Sequence, residues 1–229
     1  MKNTSQQPDF MKRKLLTLIA SLPLFTACSA NSNNLSTDPE DVRLRKKFRG
    51  LGGVVLVLGA YPGKEGVTFT NEKGLYVAAP GGLGPGLTGY NTYGGGGFPI
   101  PKTIRATGRV GKIEQKAGGG GWVGGTIAGD YTVPVAEHIS DSVLDYIRKN
   151  GGALRIKIML KDDGILIGWD VEKSLPIPNC RIGIDGAVCS QLEYFVPGGD
   201  FQEAKIYNGK VVQKGWYIDK NGQKIETDY

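Results

Sequence analysis

The segment from Leu154 to Val171 constrains the fold more than any other, because its pattern defines a β-hairpin. Leu154-Arg-Ile-Lys-Ile-Met-Leu160 shows near alternation of apolar and charged residues, which is typical of a strand with one buried face. Lys161-Asp-Asp-Gly164 has the composition of a turn, and Ile165-Leu-Ile-Gly-Trp-Asp-Val171 supplies the second strand. An isolated hairpin is marginal in water, so we expect further strands to complete a sheet.

Several other segments have the composition of strands. Gly53-Val-Val-Leu-Val-Leu-Gly59 is a continuous apolar run of strand length between glycines, which predicts a strand buried on both faces. Asn208-Gly209 and Asn221-Gly222 supply the positive φ angles of type I′ turns and predict a C-terminal β-meander. The remaining predicted strands are at 67–70, 75–79, 103–109, 122–128, 204–207, 210–219 and 224–229.

One short helix is predicted at about 140–150. Ser140 can cap its N-terminus, Asn150-Gly151 can end it, and an apolar stripe of Val143, Leu144 and Ile147 must pack on the sheet. The predicted fold is therefore mainly β, of the α+β type. We expect an antiparallel β-sandwich or curled sheet with this helix and Gly-rich loops.

Two glycine clusters, 80–101 and 118–125, interrupt the strand pattern. Both contain G-x-G-x-x-G, but neither lies between a strand and a helix, so we expect no nucleotide there. A structureless loop as long as 80–101 is uncommon in a compact domain and is usually functional or disordered. Tyr90, Tyr93, Phe98 and Trp122 could present aromatic contacts to a protein partner, or could fold back over the sheet.

The sequence offers little that predicts catalysis. His138, the single histidine, precedes the helix cap and is more typical of a surface or capping residue than of a general base. Asp162 and Asp163 are explained by a turn, and Asp170 and Glu172, spaced by two on a strand, are expected to face water. One histidine without a C-x-x-C pair cannot form a tetrahedral nitrogen and sulfur metal site. We therefore expect a protein that is not an enzyme, with no metal and no cofactor.

The N-terminal segment MKRKLLTLIASLPLFTAC, from Met11 to Cys28, has the pattern of a secretion signal. Three cations precede an apolar run of about eleven residues, well short of the roughly 20 that span a bilayer. The small residues before Cys28 resemble the lipobox of bacterial lipoproteins, although Phe25 stands where leucine is usual. The resemblance implies cleavage before Cys28 and acyl chains, including palmitate, on that cysteine. Ser29 in the next position favours export to the outer membrane within the same resemblance.

These features divide the chain into three regions. Residues 1–27 are expected to be an N-terminal extension and a signal peptide, with the true start at Met11. Residues 28–50 are expected to be a lipidated polar and basic tether, and 51–229 a single β-rich periplasmic domain. The basic run at 43–49 could lie on anionic headgroups, but its composition favours a solvated leader to the first strand.

Cleavage also changes the charge of the chain. It removes four cations and one carboxylate from totals of 28 and 22, so the net charge falls from +6 to +3. The remaining cations are spread among acidic residues, whereas nucleic-acid binding needs a clustered basic face. We therefore expect no nucleic-acid partner.

Lipidation of Cys28 would leave Cys180 and Cys189 as a pair in a compartment that oxidises thiols. The eight residues between them are enough for the chain to turn back and join the sulfurs. A disulfide is therefore predicted, and two free buried thiols are the alternative.

Four further motifs carry a resemblance that covers nearly the whole mature chain. They are Pro99-Ile-Pro-Lys-Thr-Ile104, Gly168-Trp-Asp170, Pro197-Gly-Gly-Asp-Phe201 and Lys214-Gly-Trp-Tyr-Ile218. Together with the lipobox, they resemble a family of uncharacterised Gram-negative lipoproteins, related to lipoproteins encoded beside type VI secretion phospholipase effectors. The resemblance implies an immunity protein on the periplasmic face of the outer membrane that neutralises a lipase toxin. The alternative is an envelope lipoprotein that binds lipid, glycan or an envelope-assembly partner.

The lipobox resemblance predicts that Cys28 is the acylated residue. In a Gram-negative host fed labelled palmitate, the unchanged chain should incorporate label and Cys28→Ala should lose it, because the thiol that accepts the diacylglyceryl group is removed. Ser29→Ala is the matched control and should keep the label. Label retained by Cys28→Ala would show that the prediction is wrong.

Overall fold

The computed structural model shows a fold that is mainly β, as predicted. It describes residues 37–60, 65–78, 86–94, 100–195 and 199–227. At residues 78, 86–94 and 195, only the backbone is described. The helices are α1 (Pro39–Lys47) and α2 (Asp141–Asn150), with a 3-10 turn at Ala136–His138. The strands are β1 (Gly53–Ala60), β2 (Glu65–Asn71), β3 (Tyr76–Ala78), β4 (Gly86–Gly94), β5 (Thr103–Gln115), β6 (Trp122–Pro134), β7 (Ala153–Leu160), β8 (Ile165–Ile182), β9 (Ala187–Phe195), β10 (Phe201–Gln202), β11 (Ala204–Tyr207), β12 (Lys210–Gln213), β13 (Trp216–Ile218) and β14 (Lys224–Glu226).

The described strands form three sheets. The main sheet has the order β12-β11-β8-β7-β1-β4, with β9 also paired to β8. The second sheet has the order β3-β2-β5-β6, and the third, small sheet has the order β10-β13-β14. The predicted hairpin forms the centre of the main sheet, with Leu160 opposite Ile165 and Leu154 opposite Val171.

Alternate residues of β7 and β8 build the core. Their inner-face side chains are fully buried and pack with apolar residues of the second sheet and of α2. Burying a side chain of this size stabilises the fold by about 1.5–3 kcal/mol, so this face contributes strongly to stability. The buried apolar side chains of the inner face are Leu154, Ile156, Ile158, Leu160, Ile165, Ile167, Trp169 and Val171.

A glycine allows the second sheet to approach the first. A Cβ placed on Gly108 of β5 would lie 3.1 Å from Leu160 Cδ2 of β7. This separation is tighter than an ordinary van der Waals contact, so a larger residue at 108 would require the Leu160 side chain to move.

Helix α2 begins and ends as predicted. The Val143 amide donates to Ser140 Oγ at 3.4 Å, and Gly151 follows the helix with φ +75°. The predicted stripe is buried, and Tyr146 joins it. The prediction of this helix at about 140–150 is confirmed.

Helix α1 was not predicted, since its residues fall within the expected tether at 28–50. Asp38 caps it by accepting from the Glu40 amide at 2.9 Å, and Leu44 is 7% exposed within the core. Lys102 holds the N-terminal end, with its Nζ 2.9 Å from Asp41 and 3.0 Å from Glu40. Local patterns show little sign of this helix, because Leu44 is the residue that it buries.

Strand β4 lies inside the segment that was expected to be one long loop. It pairs antiparallel with β1, so that Tyr93 is opposite Val54 and Tyr90 is opposite Val57. The physical reason is that β1 is buried, and its backbone groups on the side away from β7 need partners. Pairing with β4 provides them.

The prediction of a C-terminal β-meander is correct only in part. Asn208 and Gly209 have φ of 47° and 77°, as a type I′ turn requires, and β11 and β12 form the predicted hairpin. The chain then leaves the main sheet. In the small sheet, β13 pairs with both β10 and β14, so the C-terminal strands do not form one continuous meander.

Strand β8 is longer than the predicted segment and leaves the main sheet. Beyond Glu172, which is opposite the first residue of β7, its partner among the described strands is β9. We call this two-stranded ribbon, residues 173–193, the arm. Pro176 and Pro178 fit there because, among the described strands, none lies on the other side of this part of β8 to accept from an amide. The sulfurs of Cys180 and Cys189 lie 2.02 Å apart near its end, so the predicted pair is formed.

The disulfide should be found in the purified protein and should hold the arm in shape. Mass spectrometry of non-reduced peptides should show Cys180 linked to Cys189. Changing both to alanine should lower the free energy of unfolding by about 2.5–3 kcal/mol in a denaturant titration, because a ten-residue loop is no longer closed in the unfolded chain. Recovery of both free thiols from protein kept under oxidising conditions would contradict the prediction.

Candidate binding surface

The register of the main sheet brings charged residues together on its outer face, opposite the core. Arg155 of β7 is paired with Asp170 of β8. One step along, Lys157 of β7, Gly168 of β8 and Lys205 of β11 lie side by side. Because paired residues share a face, all of these positions point away from the core.

These side chains form an ion cluster, which we define as Arg155, Lys157, Asp170, Glu203 and Lys205. Arg155 donates to both carboxylate oxygens of Asp170, at 2.7 and 2.5 Å. Lys157 Nζ lies 3.0 Å from Asp170 Oδ2 and also contacts Glu203, whose other oxygen lies 3.2 Å from Lys205 Nζ. Each carboxylate is therefore shared by two cations.

The Arg155–Asp170 pair is largely shielded from solvent. Asp170 is 0% exposed, and the Arg155 side chain is 13% exposed. Burial lowers the pKa of Lys157, and this effect outweighs the attraction of Asp170. Burial also acts to lower the pKa of Arg155, but hydrogen bonds and the charge of Asp170 prevail and raise it. The pair costs desolvation, which only its close hydrogen bonds can offset.

Gly168 provides room for the cluster. A Cβ at this position would lie 3.6 Å from the carboxyl carbon of Glu203 and 3.3 Å from the carbonyl oxygen of Ala204. The carboxylate of Glu203 therefore occupies the space above the glycine, between the two lysines. A larger residue at 168 would compete with it for this space.

The expectation that Asp170 and Glu172 face water is wrong. Both are buried, because Arg155, Lys157 and neighbouring strands enclose this face of β8. The signal was present in the sequence: a hairpin closed at 161–164 places position 155 opposite 170. Asp162 and Asp163 do lie at the turn, where the carbonyl of Asp163 accepts from Asn208 Nδ2 at 2.9 Å.

The outer face continues from the ion cluster onto the arm. Tyr194 of β9 is paired with Glu172, and Arg155 Cζ lies 3.7 Å from its ring centroid. Val188 and Leu192 lie on the same face of β9, since alternate residues of a strand share a face. Both are about half exposed, at 51% and 48%.

The tip of the arm is also apolar and exposed. Ile182 is 61% exposed, and Ile184, in the turn between β8 and β9, is 106% exposed. Protein interfaces are rich in tyrosine and arginine, and here both lie beside exposed aliphatic side chains. The arm and the adjoining ion cluster therefore form the candidate binding surface.

The aromatic residues predicted to contact a partner are not brought together here. Trp122 begins β6, half-buried, and its amide donates to Thr68 Oγ1 at 3.2 Å. Tyr90 and Tyr93 lie in β4, where only the backbone is described, and Phe98 lies outside the described residues. Their role in binding stays a prediction. The arm was missed because its isoleucines, valine and leucine resemble ordinary strand residues.

The other predicted site residues are placed as follows. Cys28 and the signal segment lie outside the described residues. His138 ends the 3-10 turn with its Nε2 3.8 Å from a Glu137 oxygen, and burial lowers its pKa. Within the described ranges, no group of three or more His, Cys, Asp or Glu residues is arranged to hold a metal ion. None of the described helices is both long enough and apolar enough to span a bilayer.

No family model matches this sequence, and comparison with curated proteins and with solved structures finds no match either.

The burial of the Arg155–Asp170 pair predicts a large effect on stability. Asp170→Asn should lower the free energy of unfolding by about 3–5 kcal/mol, because it leaves two partly buried cations without their shared charge. The measurement is a chemical denaturation curve.

The matched control for this change is Asp130→Asn. Asp130 also receives two hydrogen bonds from an arginine, Arg105, at 2.7 and 2.5 Å, but this pair is exposed. Its loss should cost no more than about 1 kcal/mol. Equal losses in the two variants would mean that burial of Asp170 has no special importance.

Proposed function

We propose that this protein is a non-catalytic binding protein that recognises a protein partner with the arm. The observation that carries the proposal is a disulfide-linked ribbon that leaves the main sheet and exposes Ile182, Ile184, Val188 and Leu192. Val188 and Leu192 share one face of the ribbon, Ile184 is in its turn, and Ile182, paired with Ala187, lies on the other face. Exposed apolar groups that are not needed for the core and that lie on one face in this way mark interaction sites. The disulfide limits the conformational freedom that the arm would lose on binding, which favours affinity.

The finer form of the proposal concerns location and partner. The lipobox resemblance supports an outer-membrane lipoprotein whose Cys28 carries the acyl chains, with the folded part on the periplasmic side. The family resemblance supports an immunity role, in which the partner is a type VI secretion phospholipase effector. An inhibitor anchored at the membrane that the toxin attacks gains effective concentration from the anchor.

The test combines binding with rescue. The product of the adjacent gene, directed to the periplasm, should be toxic, and co-expression of this chain should restore growth. In a purified system, the triple change Ile184→Ser, Val188→Ser and Leu192→Ser should weaken binding by about 100-fold, since interface residues that matter each contribute more than 1 kcal/mol. Titration calorimetry gives the dissociation constant.

A second triple variant controls for the loss of exposed apolar surface. Val123→Ser, Ile127→Ser and Val212→Ser remove aliphatic side chains that are 41–57% exposed on β6 and β12. This variant should bind within a few-fold of the unchanged chain. Equal weakening in both variants would overturn the role of the arm.

No binding and no rescue would reject the immunity role, and lipid or glycan that copurifies with the chain would favour the alternative.

A further inference from the structure

The outward face of α1 carries a fixed group of cations. Opposite the buried Leu44, the helix and the turn after it expose Val42, Arg43, Lys46 and Arg49 to solvent. Val42 is 50% exposed, and the Arg43 side chain is 58% exposed. We call Arg43, Lys46 and Arg49 the α1 basic face.

Contacts at both ends of α1 hold this face in place. Lys102 binds the carboxylates of its first turn, so these negative charges are already paired. At the other end, Arg148 of α2 donates to the carbonyl of Arg49 at 3.1 Å and to the carbonyl of Lys47. The cations therefore project from a helix that is packed on the domain, and not from a flexible leader.

The charge around the basic face is positive on balance. An open cleft between α1 and α2 is lined by Arg43, Lys46, Lys47, Arg49 and Arg148, against two carboxylates, Asp141 and Asp145. Asp145 accepts from Arg148 at 2.5 Å, so its charge is already paired. Burial lowers the pKa of Lys47, which also donates to the carbonyl of Ala136 at 3.3 Å and is turned toward the protein. Arg43, Lys46 and Arg49 are exposed, and the one ion pair among the described residues that involves them is between Arg43 and Glu40 at 3.9 Å, a carboxylate that Lys102 also contacts.

We propose that the α1 basic face binds the anionic phospholipid headgroups of the membrane surface. The position of the helix in the chain supports this occupant. Asp38, which caps α1, is ten residues from Cys28, and ten residues reach at most about 33–36 Å when fully extended. If Cys28 is acylated, α1 stays within this distance of the bilayer. The inference concerns the membrane and goes beyond the proposed protein partner.

The test uses vesicles and a chain without acyl groups. The chain beginning at residue 28, with Cys28→Ser, retains the compact unit Thr37–Tyr229. It should co-sediment with vesicles of phosphatidylglycerol and phosphatidylcholine at low ionic strength, but not with phosphatidylcholine alone. Changing Arg43, Lys46 and Arg49 to glutamine should reduce the partition coefficient by about 100-fold, since each cation near an anionic surface contributes about fivefold.

The control keeps the same net charge. Lys116, Lys210 and Lys220 are exposed in other parts of the described chain. Their change to glutamine should reduce binding no more than a few-fold, and both triple variants should show the melting temperature of the parent chain. Equal loss in the two variants would overturn the proposal, because net charge alone would explain binding. Binding of inorganic phosphate without binding to anionic vesicles would also overturn it, in favour of a soluble anion. These results do not depend on the partner of the arm.

Discussion

The hydrogen-bonded pair of Arg155 and Asp170 is the constraint on which the arrangement of the main sheet depends. A buried ion pair contributes little net stability, because desolvation of the two charges offsets their attraction. Its effect is on register. A shift of β8 by one residue would turn Asp170 into the apolar core and Trp169 onto the outer face, and both changes are costly. Apolar burial therefore stabilises the β7–β8 pair, and the charges restrict it to one alignment. Strand β11 and the base of the arm are placed by that alignment.

Local patterns predicted much of this fold. Alternation in β7, the glycine-bounded run of β1, and the Ser140 and Gly151 caps of α2 each act within a few residues, so a short stretch of sequence contains the information. The failures depend on contacts between distant residues. Helix α1 is stabilised by Lys102, about sixty positions away, and β4 forms because β1 needs a partner strand. The ion cluster is an intermediate case: the hairpin register implied Arg155 opposite Asp170, but Glu203 and Lys205 come from a strand whose place in the sheet no local pattern shows.

The candidate binding surface contains two regions of opposite character, one with buried charged groups and one with exposed apolar groups. On the outer face of the main sheet, the carboxylates of the ion cluster are buried, and each is paired with two cations. On the arm, apolar side chains are left in water, and a disulfide provides the stability that a core would otherwise supply. The first arrangement gives a charged base, and the second gives exposed apolar contact area held in shape by the disulfide. Tyr194 joins them, because its ring packs on Arg155 while its strand continues into the arm. A partner that contacted both would meet a charged region beside an apolar one.

The attachment of α1 through Lys102 has a mechanical consequence. If the chain is anchored at Cys28, any force between the membrane and the folded domain enters at Asp38, the first residue before the helix. There the load would fall on the ion pairs between Lys102 and the carboxylates of the first turn, on the burial of Leu44, and on the bonds from Arg148 to the carbonyls of Lys47 and Arg49, before it reached the hydrogen bonds of β1. These contacts are weak compared with a paired strand. Under load, α1 would therefore detach and lengthen the connection, while the main sheet kept its structure.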